Sequence, residues 1–134
     1  MDKKDKKFMT VAEAVSETSD FVRIHIGAVI VKKNRIISVG CNLQKTHPIQ
    51  AKYDIHREYC DDHLKHRIHA EVSAIISAKD EDDLDGATMY IYRKNKYGKL
   101  DMCRPCNACY AMMKEVGIKR MVYSIKNGFA EEIL

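Results

Sequence analysis

A chain of 134 residues with 46% hydrophobic content has room for one packed domain of ordinary core size, and too little for two. Net charge is +4, from 23 basic and 19 acidic residues, which is compatible with an anionic substrate but does not require one. The longest apolar run, Ile24 to Val31, is strand-sized and carries His25 and Gly27, so no membrane-spanning helix is expected.

Taken in order, residues 1–8 read as a flexible, solvated basic arm with no apolar signal core behind it. Met9 to Thr18 carries a modest helical pattern, with Met9 and Ala12 on one side and Thr10 and Glu13 spaced as a capping box. Val22 to Lys33 and Arg35 to Cys41 read as two strands, and Lys33-Asn34 is a tight turn that would pair them as an antiparallel hairpin. Asn42 ends the second strand, either as a turn residue or as an amide presented to a ligand.

From Leu43 to Arg67 the chain is polar and irregular. His56, Cys60 and His63 stand at helical spacing, with His66 a turn further on. They are candidates for a second metal, completed by Cys41 or Cys103; the alternative is a solvated, histidine-rich segment. Ile68 to Lys79 then reads as a helix with Val72, Ile75 and Ile76 on its apolar face. In mid-helix His69 and Glu71 would point about 200° apart, so they can serve one site only at the helix mouth. Asp80 to Asp83 is an acidic, solvated exit without calcium-loop spacing.

Ala87 to Arg93 alternates as a strand, and a basic loop follows over Asn95 to Asp101. Pro105 is suited to open a helix that places Cys106 and Cys109 on one side of its first turn, with Gly117 as its C-terminal cap. Ile118 to Ser124 is a further strand, and the ten residues after it suffice for a loop and about one turn of helix.

Two thiols and an imidazole make a ligand set that suits zinc with a fourth position open: His69, Cys106 and Cys109. Glu71 is placed to shuttle the protons of a metal-activated water. The competing reading closes the site with Cys103 as a fourth ligand and makes the chain a non-catalytic, zinc-stabilised binding module. Five cysteines, three of them at 103, 106 and 109, suit a reducing compartment, and a cytoplasmic location is expected.

His-x-Glu followed at a distance by Pro-Cys-x-x-Cys is the signature of zinc nucleobase deaminases. With Val22 to Val31, Gly40-Cys41-Asn42 and Gly117 to Tyr123, the chain resembles the cytidine and deoxycytidylate deaminase superfamily over nearly its whole length. Its strand ending at Asn42, the insert before His-Ala-Glu and the Gly-Ile-Lys-Arg-x-Val-Tyr ending look most like the deoxycytidylate branch, including short phage-type members. The resemblance implies a three-layer α/β/α fold around a mixed sheet. It implies zinc on His69, Cys106 and Cys109, Glu71 as proton shuttle, and substrate contacts at Asn42 and Ala70. The implied reaction is hydrolytic deamination of a cytosine nucleotide or nucleoside, dCMP foremost, in a homo-oligomer whose subunits complete each other's sites. Adenine in RNA or another amino-bearing base is the alternative substrate; Arg104 stands where tRNA adenosine deaminases and many others have Glu, which weighs against that branch. Seven Tyr and three Phe are present, but no basic, aromatic run is decisive for a nucleic-acid groove, and nucleic acid stays open as a partner. Lys45, Arg57, Lys65 and Arg67 are candidates for a phosphate contact.

Overall fold

Valine, isoleucine and tyrosine at alternating positions build the centre of the fold, a five-stranded sheet. The computed structural model describes residues 2–57 and 67–134. Its strands are β1 (His25–Lys32), β2 (Arg35–Cys41), β3 (Thr88–Lys94), β4 (Arg120–Ile125) and β5 (Gly128–Ile133), in the order β2-β1-β3-β4-β5. Every neighbouring pair is antiparallel except β3 and β4, which run parallel. A parallel pair needs a crossover on one face. Here it is the segment carrying α4 (Asn107–Glu115).

Strand alternation sends the two halves of each strand's apolar set to opposite faces. Val29, Val31, Tyr90 and Val122 pack with Phe8, Met9 and Ala12 of α1 (Lys3–Ser16). Ala28, Ile30, Met89, Ile91 and Met121 pack on the other side. Their partners there belong to α2 (Pro48–Asp54), α3 (Ala70–Ile76) and α4. The result is the expected three-layer α/β/α architecture. Two glycines set the layer spacing: a Cβ on Gly27 would collide with the Ala12 carbonyl of α1, and one on Gly40 with the Ala74 backbone of α3. The expected hairpin turn is present, with both Lys33 and Asn34 in left-handed conformation (φ 52° and 62°), as a two-residue hairpin loop requires.

The N-terminal expectation needs correction. The arm over residues 1–8 is largely helix: α1 begins at Lys3, capped by the Asp2 carboxylate accepting from the Asp5 amide, so Thr10 and Glu13 lie inside it and form no cap. The reason is long-range. Asp5 is buried and receives two bonds from the Arg120 guanidinium, at 2.9 and 2.7 Å, and a third from the Tyr90 hydroxyl at 2.6 Å. The guanidinium holds the Asp5 carboxyl down to about 2. A depressed carboxyl stabilises the fold above its unfolded pKa, and that contribution is lost as pH falls through its folded one. Asp5→Asn should therefore cost about 2–3 kcal/mol at pH 7. The gap to wild type should close between about pH 4 and 2, as read by urea unfolding. A gap independent of pH would mean that shape, and not charge, is what Asp5 supplies.

At the other end the residues after β4 form a strand, not a helical turn. β5 pairs antiparallel with β4 and is held by Arg120 to Glu131 and Arg104 to Glu132. α2 lies in the stretch read as irregular, with His47 as its cap. The Ser124 hydroxyl ties three segments together: it accepts from the Arg93 amide (3.0 Å), donates to the Asp101 carbonyl (2.7 Å) and meets the Cys103 sulfur (3.1 Å). Among the described residues no helix is long and apolar enough to cross a membrane.

Candidate active site

The mouths of α3 and α4 converge. His69 is the N-cap of α3 and Glu71 lies in its first turn, the placement that lets residues two apart share a site. Cys106 is the N-cap of α4, with Pro105 one residue outside the helix and not in its first turn. Cys109 then follows as the third helical residue, beside the cap. The α3 mouth is held against the end of β2, because the Leu43 amide donates to the Ile68 carbonyl and the Ile68 amide to the Lys45 carbonyl. Ser38 donates from β2 to the Ala74 carbonyl of α3. Gln50, wholly buried on α2, accepts from the His69 amide at 3.0 Å and donates to Asp54 at 2.8 Å. Its role escapes sequence reading, since nothing local marks a glutamine that serves a residue nineteen positions away.

His69 Nδ1 lies 3.3 Å from the Cys109 sulfur and 3.5 Å from the Cys106 sulfur. The three donor atoms all fall within 4.8 Å of one another, the one such group among the described residues. Nitrogen and sulfur bound tetrahedrally to zinc at ordinary bond lengths are roughly 3.6 Å apart. The donor set and its spacing therefore fit zinc. In the bare protein the pair of thiols shares its proton unequally. The hydrogen bond from Cys109 lowers Cys106 to about 4, and Cys109 is raised well above its ordinary value as the donor in that bond. Burial opposes a charge on His69, yet the adjoining Cys106 thiolate raises the imidazole above its usual range. Glu71 is pushed up by burial.

Cys103 is not a fourth ligand. Its sulfur donates to the Ile91 carbonyl and meets Ser124, and burial pushes its thiol up to about 12. Among the described residues the metal group thus keeps an open side. That side faces a cavity of about 260 Å³ whose floor includes His69, Glu71 and Cys106. Its wall carries Ile24, Ile26 and Met102, and four arginines, Arg57, Arg67, Arg93 and Arg104, line it.

Asn42 lines the same cavity, but both ends of its amide are engaged: Oδ1 accepts from the Ile26 amide and Nδ2 donates to the Ile24 carbonyl. Its first role in the fold is to fix that wall. Ala70, fully buried as the first residue of α3, does not line the cavity with its side chain. The proposed second metal lies mostly outside the described residues, which omit Cys60, His63 and His66. Within them, His56 is an exposed turn residue after α2, and neither Cys41 nor Cys103 belongs to a further ligand group. Of the phosphate candidates, Arg57 and Arg67 reach the cavity, Lys45 does not line it, and Lys65 lies outside the described residues.

Comparisons with known proteins point to a family. Residues 2–125 match the family described as cytidine and deoxycytidylate deaminase zinc-binding region. The deoxycytidylate deaminase of Mycobacterium phage D29 is 30% identical over 134 residues, covering 89% of this chain and 92% of the relative. The dCMP deaminase of cyanophage S-TIM5 superposes with TM-score 0.64 at 25% identity, over 92% of this chain and 84% of that one. The cytidine deaminase of Burkholderia pseudomallei shares the fold, with TM-score 0.68 at 18% identity over 99% and 93% of the two chains. The matched region is described as zinc-binding, and the His69, Cys106 and Cys109 group within it could hold a metal. The chain belongs to the cytidine and deoxycytidylate deaminase family.

Proposed function

We propose that the protein is a zinc-dependent hydrolytic deaminase of cytosine nucleotides, with dCMP as the favoured substrate. The observation that carries the substrate class is the cavity itself, where the floor of Glu71, His69 and Cys106 lies beneath a wall bearing four arginines. A neutral base or nucleoside offers guanidinium groups only uncharged acceptors, whereas a phosphate matches their fork with charged oxygens. The phage relatives named above act, by their names, on deoxycytidylate, which supports the same reading.

Zinc, when bound, supplies Lewis acidity that brings the pKa of a water towards neutrality. His69, Cys106 and Cys109 would hold it. Ile24, Ile26 and Met102 give the flat base apolar walls, and the buried Glu71 faces the same cavity. As the water oxygen joins C4, Glu71 takes the proton it releases and hands it to ring nitrogen N3. Glu71 then carries the water's second proton to the departing amine. The C4–N bond breaks and ammonia leaves, so atoms balance as cytosine plus water giving uracil plus ammonia.

Ammonia release from dCMP, CMP, deoxycytidine, cytidine, adenosine and guanine, with zinc content measured on the same samples, tests this reading. The expected result is preferred turnover of dCMP by zinc-loaded protein. Preference for an unphosphorylated nucleoside would overturn the nucleotide assignment, and preference for a purine would overturn the base. No release from any of them with zinc bound would overturn the small-molecule reading altogether.

A further inference from the structure

Two of the three donors share one helix mouth, and the third must be brought to them. Cys106 and Cys109 both belong to α4 and move as a unit. His69 comes from α3, so its distances to the two sulfurs are set by contacts between elements. As the N-cap of α3 it makes no capping bond with its side chain. The ring is left to the metal, and the backbone of His69 has to be held by others.

Most of that holding is backbone to backbone. The His69 carbonyl accepts from the Ser73 amide, and Ile68 is tied on both sides to Leu43 and Lys45. The His69 amide is the exception, because its acceptor is a side chain, Gln50 Oε1 at 3.0 Å. The other end of the Gln50 amide donates to Asp54 Oδ1 at 2.8 Å, and Asp54 also stands 3.9 Å from Arg57. The second bond fixes which way the amide points. Turned over, it would set its NH2 against the His69 N–H and its oxygen against a carboxylate. Gln50 is 0% exposed, so no solvent is at hand to stand in for it. Three residues further along α2, the Tyr53 hydroxyl donates to Glu115 Oε2 at the far end of α4, at 2.7 Å. α2 thus grips both ligand-bearing helices, and only the Gln50 grip lands on a ligand residue.

We propose that Gln50 is a positioning residue for the metal: its bond to the His69 amide holds the imidazole in register with the two thiols and so sets the affinity for zinc. The proposal rests on the zinc reading of the site and adds a determinant of affinity that supplies no ligand atom. A preorganised site needs its donors held to within about 0.5 Å, and groups that orient a ligand from outside the coordination shell are worth roughly 10–100-fold in affinity.

The test is competition for zinc between a chromogenic chelator and wild type, Gln50→Met or Tyr53→Phe, at a temperature where each is folded by circular dichroism. Methionine keeps the length of glutamine and fills the core without an amide oxygen. Tyr53→Phe releases the other grip of α2 and leaves the bond to His69 intact. Gln50→Met is expected to bind zinc about 10–100-fold more weakly, and Tyr53→Phe within about threefold of wild type. An affinity of Gln50→Met within about threefold of wild type would overturn the proposal, whatever its effect on melting. Equal losses in the two variants would assign the effect to the packing of α2 and overturn it as well. If Gln50→Met does not fold, Gln50→Asn carries the test under the same limits, its amide one methylene short of His69. A wild type that binds no zinc would overturn the zinc reading itself, and is read before any variant.

Discussion

Glu71→Gln should leave zinc bound and lower kcat by about a thousandfold. The amide keeps the shape of the carboxylate and can neither take nor return a proton, and positioned general acid–base groups contribute on the order of 10²–10⁴ in rate. Glu71 is 5% exposed and faces the cavity, so no solvent base has easy access to replace it. Its backbone lies in the first turn of α3, next to the His69 cap, and the substitution preserves both. The measurement pairs ammonia release with zinc content by mass spectrometry. A variant that keeps its metal and loses less than about tenfold in kcat would remove Glu71 from the chemistry. A variant that loses its metal would show a ligand or a support in place of a proton carrier.

Cys109→Ala should abolish both zinc binding and turnover, and lower thermal stability as well. Cys109 is wholly buried, one of the three donors of the group, and part of the core cluster beneath the sheet. Removing one donor from a three-ligand site leaves an imidazole and one thiol, too few to hold zinc against water. A ligand present at a thousand times its dissociation constant stabilises by about 4 kcal/mol, worth roughly 10–15 °C for a chain of this size. Wild type stripped by a chelator should therefore melt close to the variant. A wild type indifferent to the chelator, beside a variant that melts early, would mean that Cys109 stabilises by packing alone.

The grouping of His69, Cys106 and Cys109 was legible in the sequence because it is defined by residue type and by helix mouths. His69 and Glu71 had to sit where a helix begins, and they do, as the N-cap and in the first turn of α3. The hairpin was legible for a similarly local reason: Lys33-Asn34 between two runs of β-branched residues has few other solutions. What stayed hidden depends on partners far along the chain. Asp5 amid four lysines looks like a solvated arm until Arg120, 115 residues away, claims it. The Gly128–Ile133 strand carries two glutamates that suggest exposure, and their cations, Arg120 and Arg104, lie on β4 and just before α4. Gln50 belongs to the same class: ordinary in its own segment, it acquires its role from the His69 amide elsewhere in the chain.

The clamp at Ser124 also says where this protein can change length. Below it, the Asp101 amide closes on the Arg93 carbonyl and Lys94 bridges Leu100, so residues 95–99 leave and return through a sealed base. Tyr97 at the tip is 73% exposed, and Gly98 beside it takes the positive φ that reverses the chain. Residues added or removed at that tip lie beyond the sealed base, and the segment from Cys103 to Cys106 is expected to keep its place. Such a side branch is where new recognition elements are expected to be tolerated, in evolution or by design, with the cavity below kept in place.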